Sequence, residues 1–413
     1  MEASVKRIRE DLEFYASCND RKDLPGTTRV AYSPSLRQAC DYLIRSMEEL
    51  GMEVREDSVG NVVGIYAGTD PDAPALMAGS HMDTVVSGGN FDGIAGVAAA
   101  LEAVRMLKEN GIRLKSPVMV TGFIFEENSR FREGLFGSRA MAGQVPDSEL
   151  EEHIDADGIS LGEAMKSWGC DPRTALREAR LQPEDLKHYI ELHIEQNFVL
   201  ERTQTQIGVV TCIAGAAHFY GTIYGSADHA GGTPMNMRSD ASLAFAELCL
   251  ATERMAIEAG DDTVGTIAKF EVSPGFPNII PDHVSFVADV RSSKQSHIVD
   301  VMNGIAAKLD EVCRKRGCRC ETEQYFDSLP VNVAQEDLEA MDAVCEARGY
   351  THRRIFSGAG HDAISISSLC PISMIFLPCV DGRSHCPEEW TDYEDVARGA
   401  AVLCDMLRYY DAV

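Results

Sequence analysis

The chain has 413 residues, of which 45% are hydrophobic and 25% are charged, and its formal net charge is −27. Length and composition are typical of a globular protein with two cores, and no apolar run reaches the ~20 residues that a membrane-spanning helix needs. The negative charge argues against a nucleic-acid-binding surface and against binding to an anionic membrane face.

The thirteen cysteines are an odd number and are scattered along the chain. Residues 1–13 are charged and amphipathic and contain no apolar signal core. Both features favour reduced thiols in a cytoplasm over a disulfide framework. Cys313, Cys318 and Cys320 come closest to a zinc cluster, but no second pair stands nearby, so scattered structural cysteines are favoured.

Short apolar runs alternate with helical periodicity in the first half of the chain. We predict strands at 61–66, 75–78 and 118–125, and helices at 35–50 and 94–107. Near-continuous apolar strands that alternate with helices indicate a mostly parallel sheet covered on both faces.

The pattern changes after residue 212. We predict, in order, a strand at 218–224, a helix at 241–259, strands at 264–270 and 284–290, a helix at 298–316 and a strand at 320–325. The order βαββαβ is typical of a ferredoxin-like domain. An α/β pattern resumes with a strand at 372–377. The predicted fold is therefore an α/β domain of residues 1–212 and 329–413, interrupted by an inserted α+β domain of residues 213–328.

Polar residues that suit a metal ion follow the predicted strands. The strand at 75–78 leads into His81 and Asp83, and Asp92 follows shortly after. Imidazole and carboxylate groups bind divalent ions, and α/β sheets place their chemistry at the carboxyl ends of strands. Glu126 and Glu127 follow the most apolar strand, where one acid can bind a metal while the other acts as general base. Taken alone, such an acidic pair is more often solvated.

Two further histidines complete a possible ligand set. His193 alternates with apolar neighbours, and His385 lies in a turn-rich loop after the strand at 372–377. Alone, each is better interpreted as an ordinary core or loop histidine. Five nitrogen and oxygen ligands together suit two ions that share one carboxylate: His81, Asp92, Glu127, His193 and His385. Asp83 is spaced to orient the imidazole of His81 by a hydrogen bond.

Seven motifs follow one another along the chain: Gly79-Ser80-His81-Met82-Asp83-Thr84-Val85, Asn90-Phe91-Asp92-Gly93, Glu126-Glu127-Asn128-Ser129-Arg130-Phe131, Glu191-Leu192-His193-Ile194-Glu195-Gln196, His229-Ala230-Gly231-Gly232-Thr233-Pro234-Met235, Ser357-Gly358-Ala359-Gly360-His361-Asp362 and Ser384-His385. In these motifs the sequence resembles the di-metal amidohydrolases related to aminoacylases and carboxypeptidases. Within them it resembles the hydantoinase/carbamoylase branch, which includes allantoate amidohydrolase, N-carbamoyl-L-amino-acid hydrolase and β-ureidopropionase.

The resemblance implies two divalent ions per subunit, zinc or manganese with cobalt or nickel as alternatives, bound by the five ligands above, with Asp92 shared. It implies that Glu126 is the general base and that Asp83 supports the site. His229 would reach the active site of the other subunit of a homodimer and stabilise the developing oxyanion. The implied substrate-binding residues are Gln196, His229, Asn278, Arg291, Gly358 and His361, of which Asn278 and Arg291 would bind a carboxylate.

We therefore expect a homodimeric, cytoplasmic hydrolase with a catalytic domain and a dimerisation (lid) domain. Its expected reaction is cleavage of the ureido C–N bond of an N-carbamoyl-L-amino acid, with allantoate as the alternative substrate. A dipeptidase and a catalytically silent metal-binding protein remain as further alternatives, and Glu126 argues against the silent protein. A Ser/His nucleophile at 357–362 is disfavoured, since the segment is not a nucleophile elbow.

The sequence departs from the family pattern at three positions. Asn128 and Asn197 stand where the family usually has glycine, and Gly232 stands where it usually has threonine. None of these changes removes a ligand or the base. Asn128 and Asn197 alter the expected pocket wall, so the resemblance does not decide the substrate.

Overall fold

The structure is a computed structural model that describes residues 1–260 and 262–413. The chain divides into two compact units. The first unit consists of Met1–Thr211, Val333–Ile355 and Gly360–Val413, and the second of Cys212–Asn332 and Phe356–Ala359. The predicted insertion, residues 213–328, falls within the second unit.

The helices are α1 (Val5–Ser17), α2 (Pro34–Glu49), α3 (Ile94–Glu109), α4 (Phe136–Met141), α5 (Glu149–Glu152), α6 (Leu161–Trp168), α7 (Pro172–Glu178), α8 (Val199–Arg202), α9 (Ala241–Ala259), α10 (Gln295–Arg316), α11 (Gln335–Arg348), α12 (Asp362–Ile366) and α13 (Tyr393–Ala412). The strands are β1 (Glu53–Glu56), β2 (Val62–Tyr66), β3 (Ala75–His81), β4 (Val118–Phe123), β5 (Leu186–Ile194), β6 (Ile207–Ile213), β7 (Gly215–Tyr224), β8 (Thr263–Ser273), β9 (His283–Ser292), β10 (Arg319–Ser328), β11 (Val331–Asn332), β12 (His352–Ser357) and β13 (Ile372–Leu377). Within the described residues, no helix is long and apolar enough to cross a bilayer.

The first unit is built on a mostly parallel sheet in the order β1-β2-β4-β3-β5-β13-β6. The four central strands, β4, β3, β5 and β13, run parallel to one another, while β1, β2 and β6 join antiparallel at the sides. Every residue of β3, β4 and β13 is buried, as expected for strands that are covered on both faces. The four parallel strands therefore bring their carboxyl ends to one edge of the sheet.

Helix α3 packs against β3 and against α13. It is rich in alanine, a strong helix former, and nearly all of its residues are buried. The helix begins directly after Asp92 and Gly93, so its packing fixes the position of the loop that carries Asp92.

The second unit has an antiparallel sheet in the order β10-β7-β9-β8. The residues of β9 alternate between buried and half-buried, because one face of the sheet packs on α9 and α10 and the other is open. Phe219, Phe286 and Leu309 lie in the core between sheet and helices. The mostly parallel sheet and the separate antiparallel sheet confirm the predicted fold class.

Several elements of the first unit were not predicted. They include strands β6 and β12 and the short helices α4 to α7, although α6 begins with a capping box formed by Ser160 and Glu163. Helices of four to eight residues are held mainly by tertiary packing, and periodicity over so few residues is a weak signal. The thirteen cysteines are all free in the structure.

Candidate metal centre

The predicted metal ligands lie at the carboxyl ends of the parallel strands. His81 is the last residue of β3 and His193 is the last but one of β5. Glu127 follows the end of β4, and His385 lies in the loop after β13. The order of the sheet thus brings together residues that are up to about 300 positions apart in the sequence.

These residues form two groups that share Asp92. The ligand atoms of His81, Asp92 and His193 lie within 4.8 Å of one another, as do those of Asp92, Glu127 and His385. In the first group, Asp92 Oδ1 lies 3.0 Å from His193 Nε2 and 3.8 Å from His81 Nε2. In the second, His385 Nε2 lies 3.0 Å from Asp92 Oδ2 and 3.4 Å from Glu127 Oε1.

This donor set fits a metal ion. Two ligand atoms that each lie about 2.1 Å from a tetrahedral ion are about 3.4 Å apart, close to the distances above. His81 Nδ1 lies 3.0 Å from the carbonyl oxygen of Asp83, and His193 Nδ1 lies 3.0 Å from that of Ile194. An N–H on each Nδ1 would donate to these carbonyl oxygens, so Nε2 is the nitrogen of each ring that would bind an ion.

Gly93 allows the loop to lie against the imidazole of His81. Its φ of +65° belongs to the left-handed region, and a Cβ at this position would lie 2.4 Å from His81 Nε2. Any other residue would therefore be strained and would displace a ligand. The motif Asp92-Gly93 can place a carboxylate close to the imidazole of His81 because glycine has no side chain.

Asp83 connects the ends of β3 and β4. Its two carboxylate oxygens accept the backbone N–H groups of Glu126, at 2.9 Å, and Glu127, at 3.0 Å. Burial raises the pKa of Asp83 to about 7, although these N–H donors favour the charged form. Its carboxylate lies 3.7 Å from His81 Nδ1, so the short contact to that imidazole comes from the main-chain carbonyl. The side chain of Asp83 instead positions the two glutamates.

The charges of the two ligand groups depend on one another. Burial disfavours the charged form of Asp92, but hydrogen bonds from His193 and His385 hold its pKa well below the usual range. Burial also opposes protonation of His193, yet the bond to Asp92 raises its pKa to about 9. Burial, reinforced by the charge of Asp92, raises the pKa of Glu127 to about 8.

Glu126 stands beside the ligands without belonging to either group. Its Oε2 lies 4.0 Å from His81 Nε2, and its side chain is 14% exposed. Burial, together with the negative charges of Glu127 and Asp362, raises the pKa of Glu126 well above its usual range. A carboxylate with a raised affinity for protons, next to a metal site, has the properties of a general base.

Two of the predicted substrate-binding residues lie in the same cluster. Gln196 Nε2 lies 3.2 Å from His385 Nε2 and 3.3 Å from Asp92 Oδ2, and Gln196 has a φ of +55°. The ring of His361 meets that of His193 edge to face, with centroids 4.6 Å apart. Burial holds the pKa of His361 well below its usual range, so this imidazole is neutral.

The other predicted residues, His229, Asn278, Arg291 and Gly358, belong to the second unit. The carbonyl oxygen of Asn278 accepts the N–H of Ala230 at 2.9 Å, which joins the loops of His229 and Asn278. Exposed His229 accepts the N–H of Gly231 at Nδ1, at 3.1 Å, so a neutral ring carries its proton on Nε2.

Arg291 is held on two sides within the second unit. Asp289 accepts hydrogen bonds from its Nε and Nη2, at 2.9 Å and 3.0 Å, and the carbonyl oxygen of Gly358 accepts one from Nη1 at 2.9 Å. His218 lies between Asp289 and Asp327, 3.4 Å and 2.6 Å from their carboxylates. Arg291 is therefore held in a fixed orientation on the open face of the sheet.

Three acids that contact or support the candidate site residues of the two units were not identified from the sequence. Asp289 holds Arg291, as described above. Glu191 is fully buried in β5 and accepts hydrogen bonds from Ser80 Oγ, at 2.8 Å, and Ala363 N, at 2.9 Å. Glu389 is also buried and contacts the loop of Asp92. Among these three acids, Glu191 had a sequence signal that could have identified it, because it is an acid inside an otherwise apolar strand.

Comparisons with known proteins place the chain among amide-cleaving enzymes. Residues 77–409 match the model of peptidase family M20/M25/M40. The chain is 39% identical to an N-carbamoyl-L-amino-acid amidohydrolase of Paenarthrobacter aurescens, over 98% of this chain and 97% of the relative. It is 35% identical to an allantoate amidohydrolase of Escherichia coli, over 92% of each. A crystal structure of a hydantoinase/carbamoylase family amidase from Burkholderia multivorans superposes with a TM-score of 0.93 at 31% identity, covering 100% of this chain and 99% of the other.

Proposed function

Because the chain belongs to peptidase family M20/M25/M40, we propose that it is a metal-dependent amidohydrolase that cleaves the ureido C–N bond of N-carbamoyl-L-amino acids. The seven motifs predicted a resemblance to the hydantoinase/carbamoylase branch. The similarity to the N-carbamoyl-L-amino-acid amidohydrolase and to the hydantoinase/carbamoylase family amidase confirms it. The observation that carries the proposal is the position of Glu126 beside two ligand groups that share Asp92.

The two ligand groups would hold two divalent ions, of which zinc and manganese suit the nitrogen and oxygen donors. When bound, such ions polarise a carbonyl oxygen and make water nucleophilic at neutral pH. The residues that would hold them are His81, Asp92, Glu127, His193 and His385. Asp83 keeps Glu126 and Glu127 in place through their backbone N–H groups.

The side chains of the protein divide the remaining work. Glu126 accepts the proton of the attacking water and returns it to the leaving nitrogen, so that the amino acid departs as an amine and the carbamate breaks down to carbon dioxide and ammonia. His229, which in its neutral form carries a proton on Nε2, donates a hydrogen bond to the ureido oxygen as negative charge builds there. We assign His229 to the active site of the partner subunit.

Substrate binding falls to the remaining residues. Arg291, which Asp289 and Gly358 hold in one orientation, binds the substrate carboxylate, since a guanidinium group can form two parallel hydrogen bonds with it. Asn278 supports this contact, and Gln196, Gly358 and His361 line the pocket. A fixed guanidinium reduces the entropy lost on binding and places the ureido group for attack.

Allantoate is the second candidate substrate, because it also carries a ureido group beside a carboxylate. In addition, the E. coli relative is named an allantoate amidohydrolase. The chemistry of the site is the same for both substrates. Asn128 and Asn197 stand on exposed loops next to Glu127 and Gln196, so they are the residues at which the two specificities would diverge.

The experiment that tests the function is an assay of ammonia release, combined with chromatography of the free amino acids, because cleavage of a dipeptide releases no ammonia. The chain is freed of metal, reconstituted separately with zinc, manganese, cobalt or nickel, and offered N-carbamoyl-L-amino acids, allantoate, ureidoglycolate and dipeptides. Release from N-carbamoyl-L-amino acids is expected, and faster release from allantoate would select the second candidate. Cleavage of dipeptides alone, or inactivity on the whole panel with full metal content, would contradict the proposal.

We further propose that the chain is a homodimer formed through the second unit, in a reducing cytoplasm that suits its free cysteines. Leu243, Leu250 and Ile257 are spaced seven residues apart along α9 and are 38%, 66% and 72% exposed. This spacing places them on one face of the helix. Strand β8 is at one end of the sheet, so one of its edges has no neighbouring strand among the described residues. A second copy would bury both features.

Light scattering after gel filtration tests the dimer. Leu250→Glu is expected to give the mass of a single chain, whereas the wild type gives twice that mass. Val299→Glu, which changes an exposed aliphatic residue of α10, is the matched control and should remain dimeric. A wild type of single-chain mass, or a dimeric Leu250→Glu variant, would refute this interface.

A further inference from the structure

Glu389 is a buried carboxylate in the loop that follows His385. Only 2% of its surface is exposed, and both of its oxygens are engaged. Oε1 accepts the backbone N–H groups of Phe91, at 2.9 Å, and Asp92, at 3.0 Å. Oε2 accepts the hydroxyl of Ser384 at 3.0 Å. A buried acid is costly unless it has such partners, so its presence here calls for a function.

Its contacts join the two loops on which the second ligand group depends. Asp92 lies on one loop, and Ser384, the neighbour of His385, lies on the other. Ser384 Oγ also lies 3.4 Å from Asp92 Oδ2. One carboxylate thus fixes the backbone of one ligand and the position of the residue beside another, although the two loops are nearly 300 residues apart in the sequence.

Gly89 provides the space that Glu389 occupies. A Cβ at Gly89 would lie 2.1 Å from Glu389 Oε1 and 2.4 Å from its Cβ. No side chain could enter there without displacing the carboxylate. The loop that carries Asp92 is therefore shaped around Glu389 and does not merely contact it.

The two ligand groups differ in how much they need such support. His81 and His193 lie on buried strands, and the ladder of the sheet fixes them. His385 lies on a loop, has a φ of +57°, which is uncommon for a residue other than glycine, and its side chain is 50% exposed. Asp92 is shared, but two of the three ligands of the first group lie on strands, whereas all three ligands of the second lie outside strands. The geometry of the second group therefore depends more on contacts between loops.

We propose that Glu389 is a positioning residue that holds Asp92 and His385 together and thereby sets the affinity of the second group for its ion. This inference rests on the proposed metal centre and deepens it. Removal of the carboxylate would weaken the binding of one ion and leave the ion of His81 and His193 nearly unaffected. Residues that orient ligands in this way typically change metal affinity by about 10- to 100-fold.

Zinc titration of the metal-free chain against a chromophoric chelator tests the proposal without any substrate. Glu389→Gln keeps the shape of the side chain and removes its charge. We expect this variant to lower the affinity for one of the two zinc ions by at least about 10-fold and the affinity for the other by less than about 3-fold. Glu388→Gln is the matched control, because Glu388 is the adjacent acid, is 59% exposed and pairs with Arg383; it should bind zinc as the wild type does.

Gly89→Ala and Ser384→Ala extend the test. Gly89→Ala displaces Glu389 without changing its charge and should reproduce the loss of zinc affinity. Ser384→Ala removes one of the hydrogen bonds to Glu389 and should cause a smaller loss. Wild-type affinities for both ions in Glu389→Gln and Gly89→Ala would overturn the proposal. So would unfolding of the metal-free Glu389→Gln chain, since Glu389 would then support the fold in general. A wild type that binds no zinc would instead refute the proposed function.

Discussion

The two units of the chain differ in how they present their polar residues. In the first unit most of them are buried at or just beyond the ends of parallel strands, where His81 and His193 are 2% exposed, although the side chain of His385 is 50% exposed. In the second unit His229 is on an exposed loop and Arg291 is on the open face of an antiparallel sheet. Buried charges that are fixed by strands suit bond cleavage, and accessible groups on a sheet face suit recognition of varied substrates. We therefore expect changes at Glu126 in the first unit to affect kcat and changes at Arg291 in the second to affect KM.

The largest expected effect concerns Glu126. Glu126→Gln should lower kcat by at least about 100-fold, the usual contribution of a general base, while both metal ions are retained. Turnover and metal content by mass spectrometry are measured on the same sample. Glu133→Gln, at a half-exposed acid of the same loop, is the control and should behave as the wild type. Near-normal turnover of Glu126→Gln would show that another group takes the proton.

A smaller effect concerns the stability of the first unit in acid. His188 is buried, its ring stacks on Tyr410 with centroids 3.6 Å apart, and its Nε2 is 2.9 Å from Ser373 Oγ. Burial lowers the pKa of His188 to about 3. Its usual pKa in an unfolded chain is about 6.5, so the unfolded state gains a proton as the pH falls below that value. The free energy of unfolding should therefore fall by about 2 kcal/mol between pH 7 and pH 5 from this residue alone.

Tryptophan fluorescence measures this effect in the first unit only, because Trp168 and Trp390, the two tryptophans of the chain, both belong to it. Urea unfolding of metal-free wild type and His188→Gln is compared at pH 7 and pH 5. The variant should lose about 2 kcal/mol less over this interval, and His153→Gln should match the wild type. Equal losses in wild type and His188→Gln would mean that His188 does not limit acid stability.

The smallest effect tests whether the active site is shared between subunits. Glu126→Gln and His229→Ala chains are refolded together, and their activity is compared with that of each variant alone. If each site uses Glu126 of one chain and His229 of the other, half of the dimers are mixed and one of their two sites is intact. About a quarter of the wild-type rate should then return. No recovery would place both residues of a site on the same chain.

The sequence was sufficient to predict the residues of the first unit that follow apolar strands. His81 ends the apolar run of β3, and Glu126 follows that of β4. Since parallel strands end at one edge, their spacing along the chain predicts a shared site. Asp83 was expected beside His81, but only the structure shows its carboxylate on the N–H groups of Glu126 and Glu127.

Glu389 marks the limit of such prediction. It stands next to Glu388, and no local pattern distinguishes the buried acid from the exposed one. Its burial depends on Gly89, about 300 residues earlier, and on the loop of Asp92. The pairing of Asp289 with Arg291 is a similar case: alternation along β9 predicts that both lie on one face, but not that the acid fixes the orientation of the guanidinium.

Recognition of the substrate carboxylate by Arg291 is tested by comparing an N-carbamoyl-L-amino acid with its carboxamide, which lacks the carboxylate, and following release of the free amine by chromatography. Wild type should favour the acid by about 10- to 100-fold in kcat/KM, the contribution expected of hydrogen bonds between charged groups. Arg291→Ala should lose this preference through KM, and Glu126→Gln should slow both substrates equally. An Arg291→Ala variant that keeps the wild-type preference would contradict the assignment of substrate recognition to the second unit.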